Sequence, residues 1–206
     1  EKIAKLKKIT FLSTGLSNLK EIKKSLKILI RSGLRKEKIY LLHCNSSYPS
    51  PDEDLNINVL KSFKKMFGEN IGLSDHSPKI NSAILAVALG AKVIEKHFTL
   101  DKNMIGPDHL TSLNPKEFTK MIKLIRRSEI MLGSQVKKIT LSERKNFKNI
   151  RKGIYAKTNI QKGDKFSIKN LTVKRPYNGS DIRNYKKIIG KKSSKCYKPD
   201  QSVHEI

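Results

Sequence analysis

The run Asn70-Ile71-Gly72-Leu73-Ser74-Asp75-His76 and the later run Lys92-Val93-Ile94-Glu95-Lys96-His97-Phe98 decide how this chain folds. Each is a short apolar segment that ends in polar residues and a histidine. Between them, residues 80–89 are apolar and alanine-rich and stop at Gly90, the pattern of a helix closed by glycine. A strand, a helix and a second strand in this order make a parallel pair, because a parallel connection needs a crossover and that crossover is usually helical.

The same alternation extends outward in both directions. Upstream, residues 8–13 and 38–44 read as strands, while Leu19–Arg31 and 57–67 read as helices. The first helix carries Ile22, Leu26, Ile28, Leu29 and Ile30 on a broad apolar face; Asn18 and Glu21 form a capping-box pattern, and Gly33 stops it. Downstream, Asn114, Pro115 and Glu117 mark a helix start, Phe118, Met121, Ile122 and Ile125 follow helical spacing, and Gly133 closes the helix after about Leu132. Residues 1–133 therefore read as four strand-helix units of a parallel α/β sheet. An open sheet and a barrel both fit. Four units are half of an eight-stranded barrel, which would leave two bare edges and an uncovered interior. With Glu1 rather than Met at the start, the chain is expected to be a fragment.

Residues 134–149 change in texture: Lys137, Lys138, Ser142, Glu143, Arg144 and Lys145 show no apolar period, and the stretch reads as a linker. Residues 150–206 read as a small β-rich domain, with strands at Gly153–Ala156 and Leu171–Lys174 and turns at Lys162-Gly163-Asp164 and Asn178-Gly179.

A formal net charge of +26 over 206 residues invites a nucleic-acid reading. The distribution argues against it: lysines occur in nearly every segment, with no interleaved aromatic side chains to stack on bases. What the charge offers is a positive field that steers anionic substrates. Cys44 and Cys196 are too few and too far apart in sequence for a disulfide framework or a thiolate metal site, which fits a reducing cytoplasm. The longest apolar stretch, residues 83–91, is too short to span a bilayer, and no membrane association is expected.

Parallel sheets place their chemistry at the C-terminal ends of the strands. Those ends here are Ser13-Thr14-Gly15, His43-Cys44-Asn45-Ser46-Ser47-Tyr48-Pro49, Ser74-Asp75-His76 and Glu95-Lys96-His97-Phe98. Neighbouring strands lie about 4.8 Å apart, so His76 and His97 could reach one ion, leaving positions open for water or substrate oxygen. Asp75 and Glu95 are candidate carboxylate partners for the second ring nitrogens.

These motifs, with Gly106-Pro107-Asp108-His109, Lys174-Arg175-Pro176 and Asn178-Gly179, occur in the order and spacing of the sialic acid synthase family, which the chain resembles over almost its whole length. The resemblance implies the second half of a (β/α)8 TIM barrel in residues 1–133, then an antifreeze-like SAF domain in residues 150–206. It implies a transferase that condenses phosphoenolpyruvate with N-acetylmannosamine or a related N-acetylated amino sugar, with legionaminate and pseudaminate synthases as variants differing in the sugar. It assigns His76 and His97 to a divalent metal, Mn2+ or Mg2+, and Ser13 and Ser74 to phosphoenolpyruvate. Tyr48 and Asp108 are assigned to the sugar. Some family members carry Asn at the position of Ser46, and Asn45 is the neighbouring candidate for that contact. Arg175 is assigned to the active site of a second copy, which implies a domain-swapped homodimer. With the first four strands absent, this chain alone is expected to be inactive; a sugar-binding module in residues 150–206 is the non-catalytic alternative.

Overall fold

A computed structural model of the chain describes residues 1–205. After a short helical turn, α1 (Lys2–Lys5), the alternating pattern folds as β1 (Thr10–Ser13), α2 (Leu19–Arg31), β2 (Ile39–Cys44), α3 (Val59–Phe67), β3 (Ile71–Asp75), α4 (Asn81–Ala88), β4 (Val93–Lys96) and α5 (Pro115–Leu132). The strands form one curled parallel sheet in the order β1-β2-β3-β4, a half-barrel with β1 and β4 as its edges.

Period-2 alternation divides this sheet into two unlike faces. Leu12, Leu41, Ile71, Leu73 and Ile94 point to the side covered by helices and pack with Ile22, Leu60, Phe63 and Ala86. Fully burying a side chain such as Leu60 or Phe63 contributes about 1.5–3 kcal/mol. Helix α5 adds a second layer, Met121 and Ile125 packing with Ala83 of α4 and with Leu113. On the opposite face Phe11 is 53% exposed, and Ser13 and Glu95 are also exposed. The broad apolar face expected of α2 is narrower than its sequence implies, since Ile22 and Leu29 are buried while Ile28 and Ile30 remain exposed.

The fourth strand is shorter than residues 92–98. Beyond Lys96 the chain leaves β3, and the His97 carbonyl and Thr99 N–H pair with Leu113 instead.

The second unit begins at Gln135. Helix α6 (Leu141–Ile150), opened by a capping box between Thr140 and Glu143, takes up residues 141–149 of the stretch read as a linker and ends on the first residue of the small domain as read. Strands β5 (Gly153–Ala156) and β6 (Leu171–Lys174) pair antiparallel, and helix α7 (Tyr185–Ile188) follows. Ile154, Ile160, Phe166, Leu171, Ile188, Tyr197 and Val203 form this unit's own core. Among the described residues no helix is long and apolar enough to cross a membrane.

Candidate functional site

The strand register arranges the face opposite the helices in rows, in which Leu42 and Ser74 are buried while Ser13 and Glu95 are exposed. Cys44, Ser74 and Glu95 are successive register partners on β2, β3 and β4. One step earlier stand Ser13, Leu42, Gly72 and Val93. His76 and His97 lie two residues beyond Ser74 and Glu95, so alternation returns them to the same side. Their ring centroids are 5.2 Å apart, in an edge-to-face arrangement.

Each imidazole is held differently. His76 Nδ1 lies 2.6 Å from the backbone oxygen of Asn45. A carbonyl can only accept, so Nδ1 carries the proton and Nε2 keeps its lone pair. The carboxylate of Asp75, expected as this partner, is turned to the opposite side of the sheet, where it binds Lys96, Ser77 and Ser82. The Cys44 thiol also approaches His76 Nδ1, at 3.8 Å. His97 Nδ1 is 3.9 Å from Asp108 Oδ2, close enough for an ion pair when the ring is protonated. Glu95, the other expected partner, instead accepts a 2.5 Å hydrogen bond from Ser74 Oγ.

Tyr48 covers the pair from the β2 loop, its ring centroid 4.0 Å from that of His76 and 5.6 Å from that of His97. Desolvation raises its phenol above the usual value, and the negative fields of Cys44, Asp108 and Glu95 add to the shift. The same loop engages Asn45 internally: its side-chain oxygen accepts from the Ser47 N–H and the Ser50 hydroxyl, and its amide donates to the Asp54 carbonyl. Ser46 packs over Gly15, where an added Cβ would collide with the Ser46 hydroxyl. Asp108 is fixed through its backbone, whose oxygen accepts from the Ser112 hydroxyl at 2.6 Å, while its side chain stays 55% exposed beside His97.

Ser13, Ser46, Tyr48, Ser74, His76, His97 and Asp108 thus belong to the C-terminal strand ends of the first unit and their loops. Arg175 belongs to the second unit, where it is exposed and its Nε donates to the Ile150 carbonyl at 2.6 Å. Lys96 and the serines Ser77 and Ser82 had no expected role. Their signal was the charge pair Asp75 and Lys96, one residue before each histidine and hence on the opposite face.

Two imidazoles 5.2 Å apart, one with a free Nε2, are donors of the type that suits a divalent ion whose other positions are filled by water and substrate oxygens. Among the described residues no group of three or more His, Cys, Asp or Glu side chains converges on a metal position.

Comparison with known proteins places these features in context. The profile of the NeuB family matches residues 1–137, and that of the SAF domain matches residues 151–204. The chain is 46% identical to an N,N'-diacetyllegionaminic acid synthase of Campylobacter jejuni, covering 100% of this chain and 61% of the relative. It is 33% identical to the N-acetylneuraminate-9-phosphate synthase of Homo sapiens, covering 100% of this chain and 57% of the relative. A crystal structure of an N-acetylneuraminic acid synthetase from Leptospira borgpetersenii, in complex with citrate, is 35% identical with a TM-score of 0.64, over 70% of this chain and 50% of that one.

Proposed function

This chain belongs to the NeuB family, and we propose that it forms part of a synthase joining phosphoenolpyruvate to an N-acetylated amino sugar, with a nine-carbon acidic sugar and phosphate as products. The observation that carries this reading is the close pair His76 and His97, on the same sheet face as Ser13, Ser74 and Glu95.

In the proposed reaction C3 of phosphoenolpyruvate bonds to the aldehyde carbon of the open-chain sugar, water adds at C2, and C–O cleavage releases phosphate. His76 and His97 would hold Mn2+ or Mg2+, which when bound supplies Lewis-acid polarisation of the aldehyde. Tyr48, protonated across the neutral range, donates a hydrogen bond to the sugar. The exposed Asp108 carboxylate accepts from sugar hydroxyls and orients them. Ser13 and Ser74 contact phosphoenolpyruvate. Ser46, whose hydroxyl has no hydrogen-bond partner among the described residues, is better placed for a substrate contact than Asn45, whose amide braces its own loop. Arg175 from a second copy would meet the phosphate or carboxylate with a forked, permanently charged guanidinium, making the working unit a domain-swapped homodimer.

Relatives named for legionaminic acid at 46%, pseudaminic acid at 39% and N-acetylneuraminate-9-phosphate at 33% identity set the acceptor sugars to be compared. The test is phosphate release from phosphoenolpyruvate by the full-length gene product, with N-acetylmannosamine, 2,4-diacetamido-trideoxymannose or the pseudaminate precursor sugar, with and without Mn2+. Metal-dependent release with one sugar, abolished in His76→Ala, is expected. Release with none of them, or a fully active His76→Ala, overturns the reading. Sugar binding by residues 150–206 without any phosphate release would point instead to a binding module.

A further inference from the structure

Directly behind the two imidazoles, on the helix-covered side of the sheet, Asp75 and Lys96 form an ion pair with side chains 0% and 1% exposed and Nζ 2.8 Å from Oδ2. They are register partners and the last residues of β3 and β4, so each immediately precedes one histidine. The carboxylate is held at both oxygens: Oδ1 accepts from the Ser77 N–H at 2.9 Å, and Oδ2 accepts from the Ser82 hydroxyl at 2.6 Å as well as from Lys96. The ammonium also donates to the Ser77 carbonyl and approaches the Ser77 hydroxyl at 3.4 Å. Ser77 and Ser82 hydroxyls bond each other at 2.9 Å.

The consequence for His76 is geometric. The residue before it and the residue after it are both tied into the pair, and its own carbonyl accepts from the Ser50 N–H at 3.0 Å. For His97, Lys96 fixes one side and the Leu113 N–H takes its carbonyl at 3.0 Å. A buried ion pair is a poor choice for stability alone, because an apolar pair of similar volume holds a core as well or better without desolvating two charges. What an apolar pair lacks is direction: it cannot fasten the Ser77 backbone on both its donor and its acceptor.

We propose that Asp75 and Lys96 are positioning residues that set the separation and orientation of the His76 and His97 rings, and through them the affinity for a divalent cation. The cation part rests on the metal reading given under the proposed function; the ring geometry does not.

The test uses the full-length gene product and two variants. Asp75→Asn leaves Lys96 buried without its counter-ion and is the more prone to misfold. The double variant Asp75→Leu/Lys96→Met removes both charges and leaves neither unpaired. Three quantities are read: thermal midpoint, Mn2+ dissociation constant from the electron paramagnetic resonance of free Mn2+, and the ring signals of His76 and His97 in metal-free carbon-proton NMR spectra. The expected result is a folded double variant with a midpoint near that of the parent, Mn2+ affinity weakened by about 10- to 100-fold, and both ring signals displaced. A folded double variant that binds Mn2+ within twofold of the parent overturns the proposal, and so does a double variant that cannot fold, since the pair is then structural. A parent that binds no Mn2+ would refute the metal reading, and the ring signals alone would then decide the role of the pair.

Discussion

At the scale of single residues, Gly72 shows how closely the strand ends are packed. A Cβ there would lie 2.5 Å from Leu42 Cδ2 and from the Val93 carbonyl oxygen, and the latter is backbone that cannot step aside. Gly72→Ala should therefore cost about 1–3 kcal/mol, measurable as a lowered thermal midpoint. Tyr48 gives a second expectation. Desolvation first, then the nearby negative groups, raise its phenol above its ordinary value of 10.0, so the ring is neutral across the neutral range. Ultraviolet titration compared with Tyr48→Phe should place the midpoint of the Tyr48 phenolate above that value, and Tyr48→Phe should raise KM for the sugar more than it lowers kcat. The histidine pair was legible in the sequence because each histidine follows its strand at the same offset, one residue past the partners Asp75 and Lys96. Their supports were not: whether Asp75 or the Asn45 carbonyl meets His76 depends on which face each residue turns to, and on a loop path that alternation alone does not specify.

Among the elements, three helices begin with the same reciprocal device. Asn18 with Glu21, Asn114 with Glu117 and Thr140 with Glu143 each satisfy two otherwise orphaned backbone donors. Asn114→Ala should cost about 1 kcal/mol, read from chemical unfolding of the first unit. The device also has an acid limit. Glu117 is lowered from 4.5, chiefly by its hydrogen bond to Lys102 and then by the Asn114 N–H, and Glu143 is lowered by its bonds to Thr140. Asp181 is lowered to about 2 by Arg183. Carboxylates depressed in the folded state contribute stability above their unfolded values and lose it as pH falls through the folded ones. Helical circular dichroism should accordingly decline as pH drops below about 4.5 toward 2. The strands and helices α2 to α5 could be read from apolar period and punctuation. Helix α6 could not, because apart from Phe147 and Ile150 the stretch offers little apolar spacing, and no residue of α6 is buried. Its capping box, a polar signal, was the readable trace.

For the whole molecule, the two units have different limits. The second unit buries Tyr197 in its core at 2% exposure, its hydroxyl 3.1 Å from Glu205 Oε1, and desolvation pushes its phenol up to about 12. A phenol raised in the folded state gives stability that is complete below pH 10 and is lost as pH rises toward 12. Alkaline unfolding followed by tyrosinate absorbance should start in that window, and Tyr197→Phe should blunt it. The half-barrel was readable as four repeated units, while the small domain showed only its two short strands, because the rest of its backbone pairing is through isolated bridges such as Ile160 with Tyr197 that no local pattern announces.

The sheet order of the first unit, β1-β2-β3-β4, repeats the order of the chain. Each strand needs only the strand synthesised just before it, so assembly can proceed vectorially as the polypeptide leaves the ribosome. The growing edge at each step is the one the next strand will cover, while the β1 edge stays as it began. His97 arrives last of the two histidines, so the pair is completed only when the final strand of the sheet is in place.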